Sequence, residues 1–263
     1  MKDLIEFDLP LMSRGMEKLL WKLREKSVYL DYGRDVIINM LSKYLSDIDR
    51  DTVKILDMGI GQGEDLKNIE GHFGIRHLSL YVIDSHEAHV RTAKEMGISA
   101  HCLNIEKERL PFPDKFFNII IANQIIEHTK EIFFIFSEIS RVLSYGGIVI
   151  VGFPNLAALH NRILLMLGIQ PICSRMLGPH VRSITKGAFR AFITADGYFD
   201  ILEVQGSNFY PFPPRIAKHL SRIFPTLSIS LIFCCRRTEK QGRFINVLKT
   251  RYYETPYYLG DER

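Results

Sequence analysis

Residues 55–63 read ILDMGIGQG. An apolar run enters a carboxylate, Asp57, and glycines then stand at positions 59, 61 and 63. Glycine permits positive φ and lets a ligand reach the backbone without meeting a Cβ. A helix opening near Glu64 would offer unpaired N–H groups beside them. One glycine makes a tight turn, but three at alternate positions between a buried strand and a helix make a ligand loop. The spacing also excludes ligands. A triphosphate loop ends in Gly-Lys-Ser/Thr, and here Gly63 precedes Glu64. A dinucleotide fingerprint, GxGxxG, needs its third glycine at position 64. Asp57, Glu64 and Asp65 would repel a pyrophosphate and suit a ligand with an ammonium or other positive group. A second carboxylate, Asp84, closes the run LYVID. At a strand end a carboxylate can accept both hydroxyls of a ribose, so loop and Asp84 together point to a nucleoside.

These residues need strands to carry them. Val53–Leu56, Leu78–Ile83, Ile98–Leu103, Phe116–Ala122 and Ile148–Phe153 read as strands, the fourth almost wholly apolar, as a strand buried on both faces must be. Helical spacing falls between them at 64–72, 86–96 and 132–143, with Gly146-Gly147 turning the chain into the fifth strand. That rhythm means βαβ units and a parallel sheet with helices on both faces. Two further helices, 14–26 and 34–45, precede the sheet. After Pro154, residues 156–177 are apolar and helical but broken at Gly168 and Pro171. A helix over 185–195, a strand over 199–205, a helix over 215–224 and a strand over 228–234 follow. The tyrosine-rich tail 244–263 has no assigned place. One domain is expected: N-terminal helices 1–48, a ligand-binding core 52–153, a lid-like insertion 154–184, a helix and strand part 185–237, and the tail.

Bulk composition fits a soluble globular chain, with 46% hydrophobic and 24% charged residues among 263. The net charge is +4, and Arg215 to Arg251 holds nine Lys or Arg against one acid, Glu239. Such a run suits an anionic membrane, a nucleic acid or a merely solvated face. Four cysteines without CxxC spacing give neither a zinc site nor a disulfide framework, and no metal is expected. Reduced thiols agree with a cytoplasmic protein. No apolar stretch reaches the ~20 residues that cross a bilayer, so membrane contact would be peripheral.

DMGIGQG resembles the DxGxGxG motif of class I S-adenosylmethionine-dependent methyltransferases. YVID is similar to their second motif, NIEKERLPFPDKFFNIIIANQIIEH to their "DxxxLPFPDxxFDxVxxxxxxEH" stretch, and SEISRVLSYGGIVIVGFPN to their "EixRVLkpGGxlxixxPN" stretch. The resemblance runs from about Ile55 to Phe153, more loosely to Cys234, and is closest to the small-molecule and quinone-type branch. It implies a Rossmann-like, doubly wound α/β fold: a seven-stranded, mostly parallel sheet of order 3-2-1-4-5-7-6 with the last strand antiparallel. It implies S-adenosylmethionine as cofactor. Asp57, Gly59, Gly61 and Gly63 would line its methionine end, and Asp84, with Ser85 beside it, its ribose. Asn104 and Ile105 would flank the adenine, and Asn123 and Gln124 would lie under the methionyl group. Asn104 replaces the family's aspartate but keeps an acceptor oxygen. Asn118 replaces another at a structural position.

The sulfonium is already an activated donor, so the protein mainly aligns the reactants; a base is needed only where the acceptor must lose a proton. His128 leads as that base, since it follows Glu127 just past the fourth strand and imidazole titrates near neutrality; capping or packing the next helix would serve equally well. His180 comes second, in PHVRSIT, similar to an HxRxxT element of the family, and His160 third. Arg182 suits an anionic acceptor or a structural ion pair. IANQIIEH stands where enzymes that methylate amino groups of nucleobases or glutamine carry an NPPY-like segment. The face of Leu156, Leu159, Ile163, Leu164, Met166 and Leu167 reads as core, or else as an apolar substrate pocket. The helix with Arg215, Lys218 and Arg222 opposite Ile216, Leu220 and Ile223 reads as packed on the sheet, with a membrane-surface helix as the alternative. The leading function is methyl transfer to a small-molecule or lipid-like acceptor at oxygen. A non-catalytic scaffold, RNA methylation and NAD-dependent oxidation are the alternatives, and nucleic acid is not the expected partner.

Overall fold

The computed structural model describes residues 31–45, 53–61, 63–73, 79–251, 253 and 256–260. The helix expected over 14–26 lies outside them. Seven strands form one sheet of order β3-β2-β1-β4-β5-β7-β6: β1 (Lys54–Met58), β2 (Ser79–Asp84), β3 (Ser99–Cys102), β4 (Phe117–Asn123), β5 (Leu143–Pro154), β6 (Phe199–Ser207) and β7 (Ser230–Arg237). β7 runs antiparallel to both neighbours, and the β1–β2, β1–β4, β2–β3 and β4–β5 pairs are parallel. The expected order and antiparallel strand are therefore present.

The apolar strands have a plain cause. Ile119 and Ile121 of β4 pack into one cluster with Ile55, Ile148, Ile150 and Ile232, and Ile120 packs into the other with Leu56, Val149 and Phe233. Side chains alternate across a strand, so a sheet covered on both faces must be apolar at every step. Helices α1 (Arg34–Leu45), α2 (Glu64–Phe73) and α3 (Glu87–Glu95) give their buried residues to the first cluster, and α4 (Ile132–Val142) to the second.

β5 starts earlier than the glycine pair suggests. Leu143 already pairs with Phe117, and the register then shifts before Ile119 pairs with Ile148. Gly146-Gly147 thus lies within an irregular strand. The helical segment over 156–177 is broken at Gly168 and Pro171 as expected: α5 (Leu159–Met166) ends before Gly168, which takes positive φ (72°), and only a single turn, Ile172–Ser174, follows Pro171. α6 (Lys186–Ile193) and α7 (Pro214–Ile223) complete the helices, Thr185 capping α6 through its side chain. Phe244–Thr250 is a 3-10 turn packed on α4, and Tyr257 and Tyr258 lie against Phe133 and Phe134.

The segment between β3 and β4 is held by one buried network. Arg141 donates to the carbonyls of Leu110 and Phe112 and to Glu138 and Asp114, and Glu138 accepts from the Leu110 N–H. Removing one partner strands a buried charge, which costs about 3–5 kcal/mol. Arg141→Met is therefore expected to lower unfolding stability by about that amount, read from urea denaturation. The double variant Glu138→Leu/Arg141→Met is expected to recover part of it.

Candidate active site at the carboxyl edge of the sheet

Everything the sequence singled out as chemistry lies where the parallel strands end. Asp57 is on β1, Asp84 ends β2 and Asn123 ends β4. Gly59, Gly61 and Gly63 all take positive φ (79°, 53° and 76°). At Gly59 an added Cβ would stand 2.6 Å from the Ile125 side chain, whereas at Gly61 it would meet nothing within 4 Å. The first glycine thus serves packing. The second faces open space, and its N–H donates to Asp84 Oδ2 at 3.2 Å.

Three carboxylates crowd this loop. Burial, then the charges of Asp65 and Asp84, push the Asp57 carboxyl well above its ordinary value. Asp65 is tied down: Arg34 Nε donates to its Oδ1 at 2.9 Å and Asn123 Nδ2 to its Oδ2 at 3.1 Å. Gly152 makes that possible, because a Cβ there would come within 2.1 Å of Asn123 Oδ1. Three buried polar atoms are then left without partners: Asp57 Oδ2, Asn123 Oδ1 and the side-chain amide nitrogen of Gln124. Buried groups of this kind normally find a partner. Two bare acceptors beside an acidic cluster fit an ammonium and a sulfonium, and a bare amide fits a carboxylate. Those are the groups of a methionyl moiety.

Asp84 is 7% exposed and already has several partners. Its Oδ1 accepts from the His86 N–H at 2.8 Å, with His86 Nδ1 at 3.3 Å, and its Oδ2 lies 3.2 Å from His89 Nδ1. Neither histidine was singled out from the sequence, since a strand-end aspartate does not announce the loop that folds back on it. Ser85 is exposed, its hydroxyl 3.2 Å from His86 Nδ1. Asn104 is exposed, and its Oδ1 accepts from the Glu106 N–H at 2.9 Å. Ile105 is half-buried against the core. Asn118 has the structural role expected, accepting from the Lys54 N–H at 3.0 Å.

Beyond β4 the chain makes a single turn, Ile126–His128, and brings a second group together. Gln124 enters it at φ 54°, its N–H donating to the Gly152 carbonyl. His128 Nδ1 lies 3.1 Å from the Pro179 carbonyl. A carbonyl only accepts, so Nδ1 carries the proton and Nε2 keeps its lone pair. That Nε2 is 3.9 Å from Glu127 Oε1. The Val181 and Arg182 N–H groups donate to the Glu127 carbonyl, which seats the His180 ring 4.7 Å from that of His128. Burial, then His128, pulls the His180 pKa down. Glu127 is buried with both side-chain oxygens unpartnered, and burial pushes its carboxyl up to about 8. Ligand atoms of Glu127, His128 and His180 lie within 4.8 Å of one another, as do those of Asp84, His86 and His89. Either group has the closeness a divalent ion requires. His160 stands apart, its ring against Tyr210, with burial pulling its pKa down to about 4. Among the described residues Arg182 meets no acid; its Nε donates to the Thr129 carbonyl at 3.1 Å.

Comparison with known proteins agrees with this geometry. Residues 56–151 match the family model described as a methyltransferase domain. No curated protein matches the chain by sequence. Among solved structures, the CurJ carbon methyltransferase is similar at 14% identity and TM-score 0.56, over 78% of this chain and 54% of that one. The chain thus spans about half of CurJ. An S-adenosylmethionine-dependent methyltransferase from Mesorhizobium loti is similar at 17% identity and TM-score 0.54, over 79% of this chain and 99% of that one. The [4+2]-cyclase SpnF, at 17% identity and TM-score 0.55 over 85% and 93%, shares the fold as well. The methyltransferase-domain match is confined to residues 56–151, and the solved structures share the fold around it.

Two outcomes follow from the geometry. Gly61→Ala meets no protein atom, so it is expected to cost only about 1–2 kcal/mol of backbone strain yet to weaken cofactor binding at least about tenfold, read by calorimetry, because its Cβ enters the ligand's space. For Glu127, the folded value of about 8 exceeds the ordinary 4.5. The folded state then holds a proton that the unfolded chain has lost. Its stabilising share is complete below about pH 4.5 and is lost as pH rises through about 8. Glu127→Gln is expected to flatten that part of the thermal-stability profile, measured across the same window.

Proposed function

We propose that the chain transfers the methyl group of S-adenosylmethionine to a small-molecule or lipid-like acceptor at oxygen, with His128 as general base. The observation that carries the reading is the His128 ring, held by the Pro179 carbonyl so that Nε2 keeps its lone pair at the same sheet edge as the glycine loop. Asp57, Asn123 and Gln124 would hold the methionyl end of the cofactor, Asp84 its ribose, and Asn104 with Ile105 its adenine. The cofactor supplies an electrophilic methyl on a sulfonium. His128 would take the proton of the acceptor hydroxyl at Nε2, leaving that oxygen as the nucleophile. The imidazolium so formed is stabilised by the Pro179 carbonyl at Nδ1. Glu127, neutral below about pH 8, adds no charge to this pair and leaves the imidazole free to accept. His180 packs edge-on to His128 and fixes its plane.

Lid chemistry favours an apolar acceptor. A cavity of about 320 Å³ is lined mostly by apolar side chains, among them Ile126, Phe136, Ile184 and Phe189, with Arg182 and Ser183 also at its wall. Its size and apolar lining are those of small-molecule sites. Carbon methyltransferases share this fold, and a carbon acid would use the same base.

His128→Asn keeps a hydrogen-bonding side chain but no base. With an acceptor drawn from phenolic and lipid extracts, its turnover is expected to fall about 10²–10⁴-fold while S-adenosylmethionine affinity holds within about twofold of wild type, the margin of a site untouched by the substitution. Asp84→Ala is expected to do the reverse to affinity. Equal turnover by His128→Asn would remove the base from the account.

A further inference from the structure

The registers place two insertions at the edge that carries the active site. Pro154, which ends β5, and Ser207, which ends β6, both pair with Ser230, which begins β7. The segments 155–185 and 208–229 therefore leave from the same edge as the glycine loop. They also touch. Asn155 Nδ2 donates to the carbonyls of Thr226 and Ser228, and the His160 ring lies on Tyr210.

Both insertions turn apolar side chains outward. On α5, Ile163, Met166 and Leu167 stand at i, i+3 and i+4, one helical face, and all three are exposed, Met166 at 87%. Met176 and Leu177 follow at 89% and 103%. The face expected to be core or pocket is thus largely at the surface. The reason is length: α5 has only eight residues, and its one buried side chain is Asn161, which donates to the Asn155 carbonyl. On α7 the buried positions are Ala217 and Ser221, so the small face packs and the stripe of Ile216 and Ile223 stays outside with Phe224. The helix packs on β6 as expected, but through Ala217 and Ser221, with Leu220 of the expected stripe only half-buried.

Within the two insertions themselves the charge has one sign. Residues 139–195 and 204–238 contain no acid. The lid brings Arg162 and Arg175, and α7 brings Arg215, Lys218 and Arg222. Lys218 meets Asp35 at 3.0 Å, an acid from α1. Exposed apolar patches rimmed by charge mark interaction sites. A short helix with apolar side chains beside Lys and Arg, in a molecule with no described helix able to cross a membrane, has the character of an interfacial element. Nucleic acid would explain the cations but leaves the methionine and leucine tips without a partner.

We infer that this edge docks on an anionic lipid bilayer, with α5, the 172–178 segment and α7 as its footprint, and that the chain takes its apolar acceptor from that bilayer. The second half rests on the methyl-transfer reading; the first does not. Docking would set the lid that carries His180 against the lipid and open the cavity beside Val181 towards it.

The test is flotation of the full chain with phosphatidylcholine vesicles, with and without phosphatidylglycerol, beside calorimetry with S-adenosylmethionine. Wild type is expected to float with the phosphatidylglycerol vesicles, weakly with phosphatidylcholine alone, and less at high salt. Met166→Asp/Leu177→Asp is expected to cut that binding at least about tenfold, with unchanged thermal unfolding and cofactor affinity, since both side chains lie in solvent. Ile223→Asp/Phe224→Asp should act alike. Vesicle binding that ignores both pairs or the lipid charge would overturn the inference, as would a stable dimer that these pairs dissociate without any flotation. Failure of the wild type to float while it still binds the cofactor would sink the docking alone, whereas absence of cofactor binding would sink the methyl-transfer reading alone.

Discussion

The fold gathers three carboxylates, Asp57, Asp65 and Asp84, around a loop of glycines, and that crowding governs the rest of the site. Burying like charges is costly unless something compensates. Part of the compensation is internal: Arg34 and Asn123 hold Asp65, while the Gly61 N–H and two imidazoles face Asp84. Asp57 has none of this on its Oδ2, and it bears the largest share of the burial. An arriving cation completes the arrangement. The glycines matter because they bring backbone donors close and leave the space that such a ligand fills.

From that centre the sheet distributes the remaining tasks. β1, β2 and β4 end on the donor side, and the turn after β4 carries Glu127 and His128 outward to meet the lid at Pro179 and Val181. Gly152, on the neighbouring β5, gives Asn123 its room. The buried Arg141–Glu138 network holds the segment that leads into β4. The glycine loop and His128 are thus held by the sheet edge, while the lid is built from short helices with much of their apolar surface outside.

Much of this was legible in the residues. The glycine spacing, the strand-ending aspartates and the continuous apolar strands each follow from a local physical requirement, so the loop and the parallel sheet could be read from them, while the strand order came only with the family resemblance. Contacts between distant segments could not. Nothing in LYVIDSHEAH says that His86 and His89 fold back on Asp84, and nothing in Arg34 says that it will pair with Asp65. Amphipathic patterns were the least informative part. The stripe on residues 215–224 identifies a helix, but whether Ile216 or Ala217 faces the sheet depends on what the sheet offers, and β6 accepts the small face. The histidine pair stands between these cases. His128 and His180 could each be named as candidates, but only the lid geometry brings their rings to 4.7 Å.

The account turns on a cationic ligand answering a buried Asp57. Calorimetric titration of S-adenosylmethionine, run as a pH series in buffers of different ionisation enthalpy, measures that directly. Burial raises the Asp57 pKa and a bound positive group lowers it again, so in the pH window between the two, binding expels a proton. The apparent enthalpy should therefore vary with the buffer in the sense of proton release, and Asp57→Asn should remove that variation while weakening binding. Absence of S-adenosylmethionine binding, or binding whose enthalpy is the same in every buffer, would contradict the account.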